Sequence, residues 1–134
     1  MQKIEHIGIA VRDLEKAEAI YSALLNSKPY KREEVKSEKV NTSFLKNGPN
    51  KIELLHGTDP ESPIAKFIEK RGEGIHHIAF AVTDIKAEMM RLKNEGFTLL
   101  SDEPKRGADN KWICFVHPKS ASGVLIELCQ EIVR

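Results

Sequence analysis

Residues 3–11 alternate: Ile7, Ile9 and Val11 fall on one side, His6, Gly8 and Ala10 on the other, the period-two pattern of a strand. The division returns later in the chain, with Ile78, Phe80 and Val82 bulky and His77, Ala79 and Ala81 opposite them. Large apolar side chains can pack under a helix, whereas a face of small residues and one histidine leaves room and reads as a cleft floor. After each strand comes a helical pattern, opened by Asp13 in one case and Asp84 in the other as N-caps. The periodic apolar residues are Leu14, Ala17, Tyr21 and Leu24, then Ile85, Met89 and Leu92 before a stop at Gly96, and core packing accounts for them.

Beyond each helix lie short alternating β segments, at about 28–36, 39–46 and 50–56, then about 97–101, 111–117 and 123–130. The chain is therefore two copies of one βαβββ module. His6-Ile-Gly-Ile-Ala-Val-Arg-Asp13 and His77-Ile-Ala-Phe-Ala-Val-Thr-Asp84 share the frame H-I-x-x-A-V-x-D, and Ile52-Glu53-Leu54 is repeated as Ile126-Glu127-Leu128. Between the modules, Ser62-Pro63-Ile64 places a cap before proline at the first helical position, and Ile64, Phe67 and Ile68 form one stripe of a connecting helix. The expected organisation is one α+β domain over 1–134, with module 1 at about 1–57, the connecting helix at about 62–71 and module 2 at about 74–131. A chain of 134 residues is too short for two independent domains, so the repeats must share a sheet or an interface.

Composition narrows the function classes. A formal charge of +1, with 31% charged residues of both signs interspersed, offers no broad basic face for nucleic acid. Cys114 and Cys129 lie in apolar runs without metal or redox spacing and read as reduced, buried thiols, which points to the cytoplasm. There is no basic-then-apolar leader pattern, and no apolar stretch approaches the roughly 20 residues that span a bilayer, so a soluble protein without membrane partners is expected.

The repeat supplies the candidate chemistry. Each module contributes one His at the start of a strand and one Glu in a later, otherwise apolar run, where an uncompensated carboxylate would be costly to bury. The alternative for each Glu is the solvent face of an edge strand, which explains one instance more easily than two related ones. Taken together, His6, Glu53, His77 and Glu127 offer two imidazole nitrogens and two carboxylates, a set that fits one divalent cation with positions left for water or substrate. Mixed N/O ligation leaves cobalt, manganese, nickel, zinc and iron open. His56, His76 and His117 read as structural or surface residues, and Trp112 as core or interface.

These residues resemble the vicinal-oxygen-chelate, or glyoxalase-fold, superfamily. Further segments resemble its methylmalonyl-CoA epimerase family: His6-Ile-Gly-Ile-Ala-Val11, Ser62-Pro-Ile-Ala-Lys-Phe67, Gly74-Ile-His-His-Ile-Ala79, and His117-Pro-Lys119 followed by Gly123-Val-Leu-Ile-Glu-Leu128. The resemblance covers essentially the whole chain. It implies a curled eight-stranded mixed sheet around a metal cleft, a divalent ion held by His6, Glu53, His77 and Glu127, a homodimer, and interconversion of (2R)- and (2S)-methylmalonyl-CoA through a metal-stabilised enolate. In that reaction Glu127 is the first candidate for proton transfer and Glu53, its symmetry mate, could serve the other face.

This chain departs from the family in two ways. Some epimerases carry Gln where Glu53 stands, and Glu there also occurs in glyoxalase I enzymes, so the quartet alone does not choose between them. A second carboxylate assigned as acid/base in some members aligns approximately with Thr42. The alternatives are glyoxalase I acting on a glutathione hemithioacetal and, further off, a metal-free binding protein of the same fold. Lys105, Arg106, Lys111 and Lys119 cluster in the second half and read first as a solvated surface, second as contacts to coenzyme A phosphates.

Overall fold

The computed structural model describes residues 1–133. The elements run β1 (Lys3–Ala10), α1 (Leu14–Leu25), β2 (Lys31–Val35), β3 (Val40–Asn47), β4 (Asn50–Gly57), α2 (Pro63–Arg71), β5 (Gly74–Ala81), α3 (Ile85–Asn94), β6 (Lys105–Gly107), β7 (Lys111–Val116) and β8 (Ile126–Glu131). Contacts divide the chain into two compact units, His6–His76 and a second made of Met1–Glu5 with His77–Arg134. The repeat is thus visible in three dimensions. Two details differ from the expected modules: α2 groups with the first unit, and the first five residues group with the second. A non-local bond accounts for the latter, because the Gln2 amide donates to the Ala81 carbonyl at 2.9 Å.

The first unit orders its strands β2-β3-β4-β1, and the second orders its own β5-β8-β7-β6. In both, the strand carrying the glutamate lies parallel to the strand that opens the repeat, β4 to β1 and β8 to β5, while the remaining pairs are antiparallel. A parallel pair requires a crossover, and α1 and α3 are parts of these connections.

Local chemistry starts the two helices identically. Asp13 accepts from the Lys16 amide and Asp84 from the Ala87 amide, each at 3.1 Å, satisfying one orphan donor of the first turn. Helix α1 then buries Leu14 and Ala17 with Tyr21 and Leu25 against Ile9, Val11, Leu45 and Leu54. Leu24, expected on that stripe, is 70% exposed instead. The angular reason is that eleven residues complete almost three turns of 3.6, which brings position 25 under position 14 and leaves 24 well off the face. Helix α3 packs Ile85, Met89 and Leu92 on Val82, Cys114, Val116 and Leu128, with Trp112 at the edge of this core. Helix α2 is capped by Ser62, whose hydroxyl accepts from the Ile64 amide at 3.1 Å, and lays Ile64, Phe67 and Ile68 on Ala10, Val40 and Leu55.

The second unit corrects one strand. Residues 97–101 form only an isolated bridge, Leu99 to Val116, and the third partner of the β7–β8 pair is the three-residue β6 at Lys105–Gly107. Its sequence, Lys-Arg-Gly, has no apolar alternation because an edge strand this short buries little of either face. In the first unit, the expected strand over 28–36 shortens to Lys31–Val35 and gives way to a 3-10 turn, Lys36–Glu38.

An ion-paired hydrogen-bond cluster fastens β2 and β3 to α1. The Arg32 guanidinium donates twice to the Glu18 carboxylate, and the wholly buried Ser43 hydroxyl donates to the same group at 2.5 Å. Arg32 holds the Glu18 carboxyl below the ordinary glutamate range against the opposing effect of burial, with Ser43 assisting. A depressed folded-state value makes this stabilisation complete above the unfolded carboxyl's pKa of about 4.3 and removes it as pH falls through the folded value. Arg32→Met should therefore cost about 1–2 kcal/mol in urea unfolding at pH 7, given the half-exposed arginine, and the gap from wild type should close below that window. An equal gap at both pH values would assign the loss to packing of the side chain.

Candidate active site

Both glutamates sit on interior strands. In the first unit β4 runs between β3 and β1, and in the second β8 runs between β7 and β5. Strand alternation sends Ile52 and Leu54 into the core under α1, so Glu53 points to the opposite face; Ile126 and Leu128 face α3, so Glu127 does likewise. Neither lies on the solvent face of an edge strand. Glu53 and Glu127 are each 5% exposed, and the histidines are as deeply buried.

Each carboxylate meets the histidine of its own repeat. His6 Nε2 lies 3.3 Å from Glu53 Oε1, and His77 Nε2 lies 3.3 Å from Glu127 Oε1. Two buried His–Glu pairs with one geometry are what a repeated module should produce if the pair itself is the useful unit. The spacing also fits shared ligation: donors each about 2.1 Å from one ion, at angles between square and tetrahedral, stand about 3.0–3.4 Å apart. By distance, burial and donor type, then, each half presents one nitrogen and one oxygen suited to a divalent cation, and ligation would offset the cost of burying its carboxylate.

The neighbours of each pair repeat as well. In the parallel register Gly8 is beside Glu53 and Ala79 beside Glu127, while in the antiparallel register Phe44 is beside Glu53 and Phe115 beside Glu127. A small residue gives each carboxylate lateral room, and an aromatic ring walls its other side. Phe115 meets the His77 ring edge to face, with centroids 5.9 Å apart, which fixes the imidazole plane. Sequence reasoning passed over Phe44 and Phe115. The signal was available: both stand mid-strand in the hairpin partner of a Glu-bearing strand.

The face is not bare along its whole length. Ala10 packs with Val40, Leu55 and Ile64, and Ala79 with Ile113, Cys129 and Phe115, so the small residues expected to floor a cleft are partly roofed by the side chains of their own unit. Thr42 is buried, and its hydroxyl donates to the Glu33 carbonyl at 3.0 Å. As an alcohol so engaged, it supplies no carboxylate for acid–base work.

The other histidines have structural contacts. His117 Nδ1 accepts from the Lys119 amide at 3.0 Å and caps a 3-10 turn, His76 stacks edge-on to Phe67 at 4.9 Å, and His56 Nδ1 lies 3.4 Å from the Val11 carbonyl. Cys114 and Cys129 are buried and unbridged, and burial pushes the Cys114 thiol above its ordinary pKa. Among the described residues no helix is long and apolar enough to cross a membrane.

Comparison with known proteins gives concordant results. The ethylmalonyl-CoA/methylmalonyl-CoA epimerase of Cereibacter sphaeroides is 43% identical over 130 residues, covering 96% of this chain and 97% of that protein. The mitochondrial methylmalonyl-CoA epimerase of Homo sapiens is 41% identical over 129 residues, covering 96% of this chain and 73% of that protein. A solved methylmalonyl-CoA epimerase in complex with methylmalonyl-CoA and NH4+ superposes with a TM-score of 0.94 at 34% identity, over 99% of this chain and 96% of that one. The family model for the Glyoxalase/Bleomycin resistance protein/Dioxygenase superfamily matches residues 5–115, a span that takes in His6, Glu53 and His77. With its paired modules, its repeated buried His–Glu units and this match, the chain belongs to that superfamily and has its fold.

Proposed function

We propose that this protein is a methylmalonyl-CoA epimerase that holds one divalent ion with His6, Glu53, His77 and Glu127. The observation that carries the reading is the duplicated His–Glu pair at 3.3 Å, set in a chain whose likeness to named epimerases spans both repeats. Two pairs on one ion give two nitrogen and two oxygen ligands, and the two carboxylates balance a 2+ charge. Cobalt, manganese, nickel and zinc all suit that set.

The substrate carbon, C2, lies between a thioester and a carboxylate, and its proton is weakly acidic. A divalent ion held by His6, Glu53, His77 and Glu127 would supply Lewis-acid stabilisation of negative charge on the thioester oxygen. The residues of the chain do the rest. Glu127 takes or returns the proton on one face of C2, and Glu53, its repeat mate, serves the other; Thr42 takes no part in the transfer. Phe44 and Phe115 wall the carboxylates from water, which strengthens every charge interaction inside. Glyoxalase I shares the ligand types and differs in the carbon attacked, and it is the epimerases that match this chain at near-full length. The substrate is an acyl-CoA; the unbridged, buried Cys114 and Cys129 favour a reducing compartment such as the cytoplasm, and the resemblance to the epimerases favours a homodimer.

Incubation of metal-loaded protein with the 2R thioester tests the reading. The 2S epimer should accumulate to equal concentration, and the methylglyoxal–glutathione hemithioacetal should remain unconverted. Conversion of the hemithioacetal with no epimerisation would transfer the assignment to glyoxalase I.

A further inference from the structure

We propose that Lys111, assisted by Lys105, forms the anion-binding end of the acyl-CoA site and contacts the phosphates of the coenzyme. The proposal rests on the acyl-CoA reading above, and it divides the basic cluster of the second unit by position. Arg106 pairs with Trp112 and lies over its ring at 5.2 Å, on the side of the sheet that packs α3. Lys119 is exposed on the 3-10 turn Pro118–Ser120. Lys105 and Lys111 belong to the other face, the one that carries Glu127: Lys105 registers with Ile113, Ile113 with Cys129, Lys111 with Glu131 and Phe115 with Glu127.

Lys111 is the unusual member. It is 6% exposed, and its ammonium lies 3.6 Å from a Glu131 carboxylate whose own side chain is 81% exposed. A lysine side chain only 8% exposed gives up most of its contact with water, and a solvent-facing carboxylate offsets that cost only in part. The fold does not demand it. Counting four pairs along the hairpin from Phe44–Glu53 reaches Val40–Gly57, and the same count from Phe115–Glu127 reaches Lys111–Glu131. The first repeat therefore fills this place with a buried valine, and the second fills it with a charge. Because Glu131 stands in water, it can turn away and release the ammonium to an incoming anion without leaving a carboxylate buried.

Position selects the anion. Lys111 is four residues along β7 from the partner of Glu127, about 13 Å, and Lys105 lies two strands from β8, roughly 10 Å to the side. That is too far for the carboxylate attached to the reacting carbon and suits the distal end of a long thioester arm. Lysine is a compact point charge fit for phosphate.

The test compares two thioesters, methylmalonyl-CoA and methylmalonyl-pantetheine, which lacks the phosphates. Lys111→Met should raise KM for the coenzyme A thioester about tenfold, the effect of one charge-assisted contact, with kcat within twofold. It should leave both constants unchanged for the pantetheine thioester, and Lys111→Arg should restore most of the affinity. Raising the salt concentration should weaken binding of the coenzyme A substrate to wild type more than to the variant. Should Lys111→Met fail to fold, Lys105→Met decides the matter, with about a threefold rise in KM confined to the phosphate-bearing substrate. Equal changes for both thioesters, or none for either, would overturn the proposal. A wild type that epimerises neither thioester would instead remove the acyl-CoA reading on which it rests.

Discussion

Glu127→Gln is expected to slow exchange of the C2 proton of methylmalonyl-CoA by about 10²–10⁴-fold at matched metal occupancy, the range that a positioned general base contributes. Glutamine keeps the shape and one oxygen donor of Glu127, beside Phe115 and 3.3 Å from His77 in the native chain, but it has no basic carboxylate. Matching the metal content is essential, because a neutral ligand also binds the ion less tightly. If the metal-replete variant exchanges the proton at the wild-type rate, Glu127 is a ligand only and proton transfer belongs elsewhere. Glu53→Gln under the same conditions separates the two faces, since a one-face defect would suppress epimerisation while leaving exchange from one epimer.

The second large effect is on the metal. Elemental analysis should find one divalent ion per wild-type chain, and less than a tenth of that in a His6→Ala, His77→Ala double variant, with turnover falling to background. The expectation follows from removing both nitrogen ligands, one from each repeat, and leaving two carboxylates that are each 5% exposed in the native chain. Those carboxylates would lack their imidazole neighbours, so stability should drop as well, and circular dichroism at low temperature must confirm that the variant is folded. Stoichiometric metal with unchanged affinity in the folded double variant would rule out the quartet.

Much of this site could be read directly from the chain because the module occurs twice. One histidine at the head of a strand carries little information, whereas His6 and His77 in a shared H-I-x-x-A-V-x-D frame mark equivalent places. Ile52-Glu53-Leu54 and Ile126-Glu127-Leu128 alternate cleanly, so the apolar neighbours fix which way the carboxylates point. Other features depend on distant partners. Lys105-Arg106-Gly107 becomes a strand only because β7 offers it an edge, and nothing in its own pattern announces that. Residues 1–5 group with the later unit through the Gln2–Ala81 bond, a pairing of high sequence separation. The burial of Lys111 was masked by composition, since a lysine among other basic residues reads as surface until the strand register places it on the face of Glu127.

The most direct test of the central claim is proton NMR of wild-type enzyme with methylmalonyl-CoA in deuterated water. The account predicts that the C2 proton signal disappears while the thioester stays intact, that a chelator stops the loss, and that restoring the divalent ion restarts it. Persistence of the C2 signal with fully metal-loaded enzyme would contradict the account.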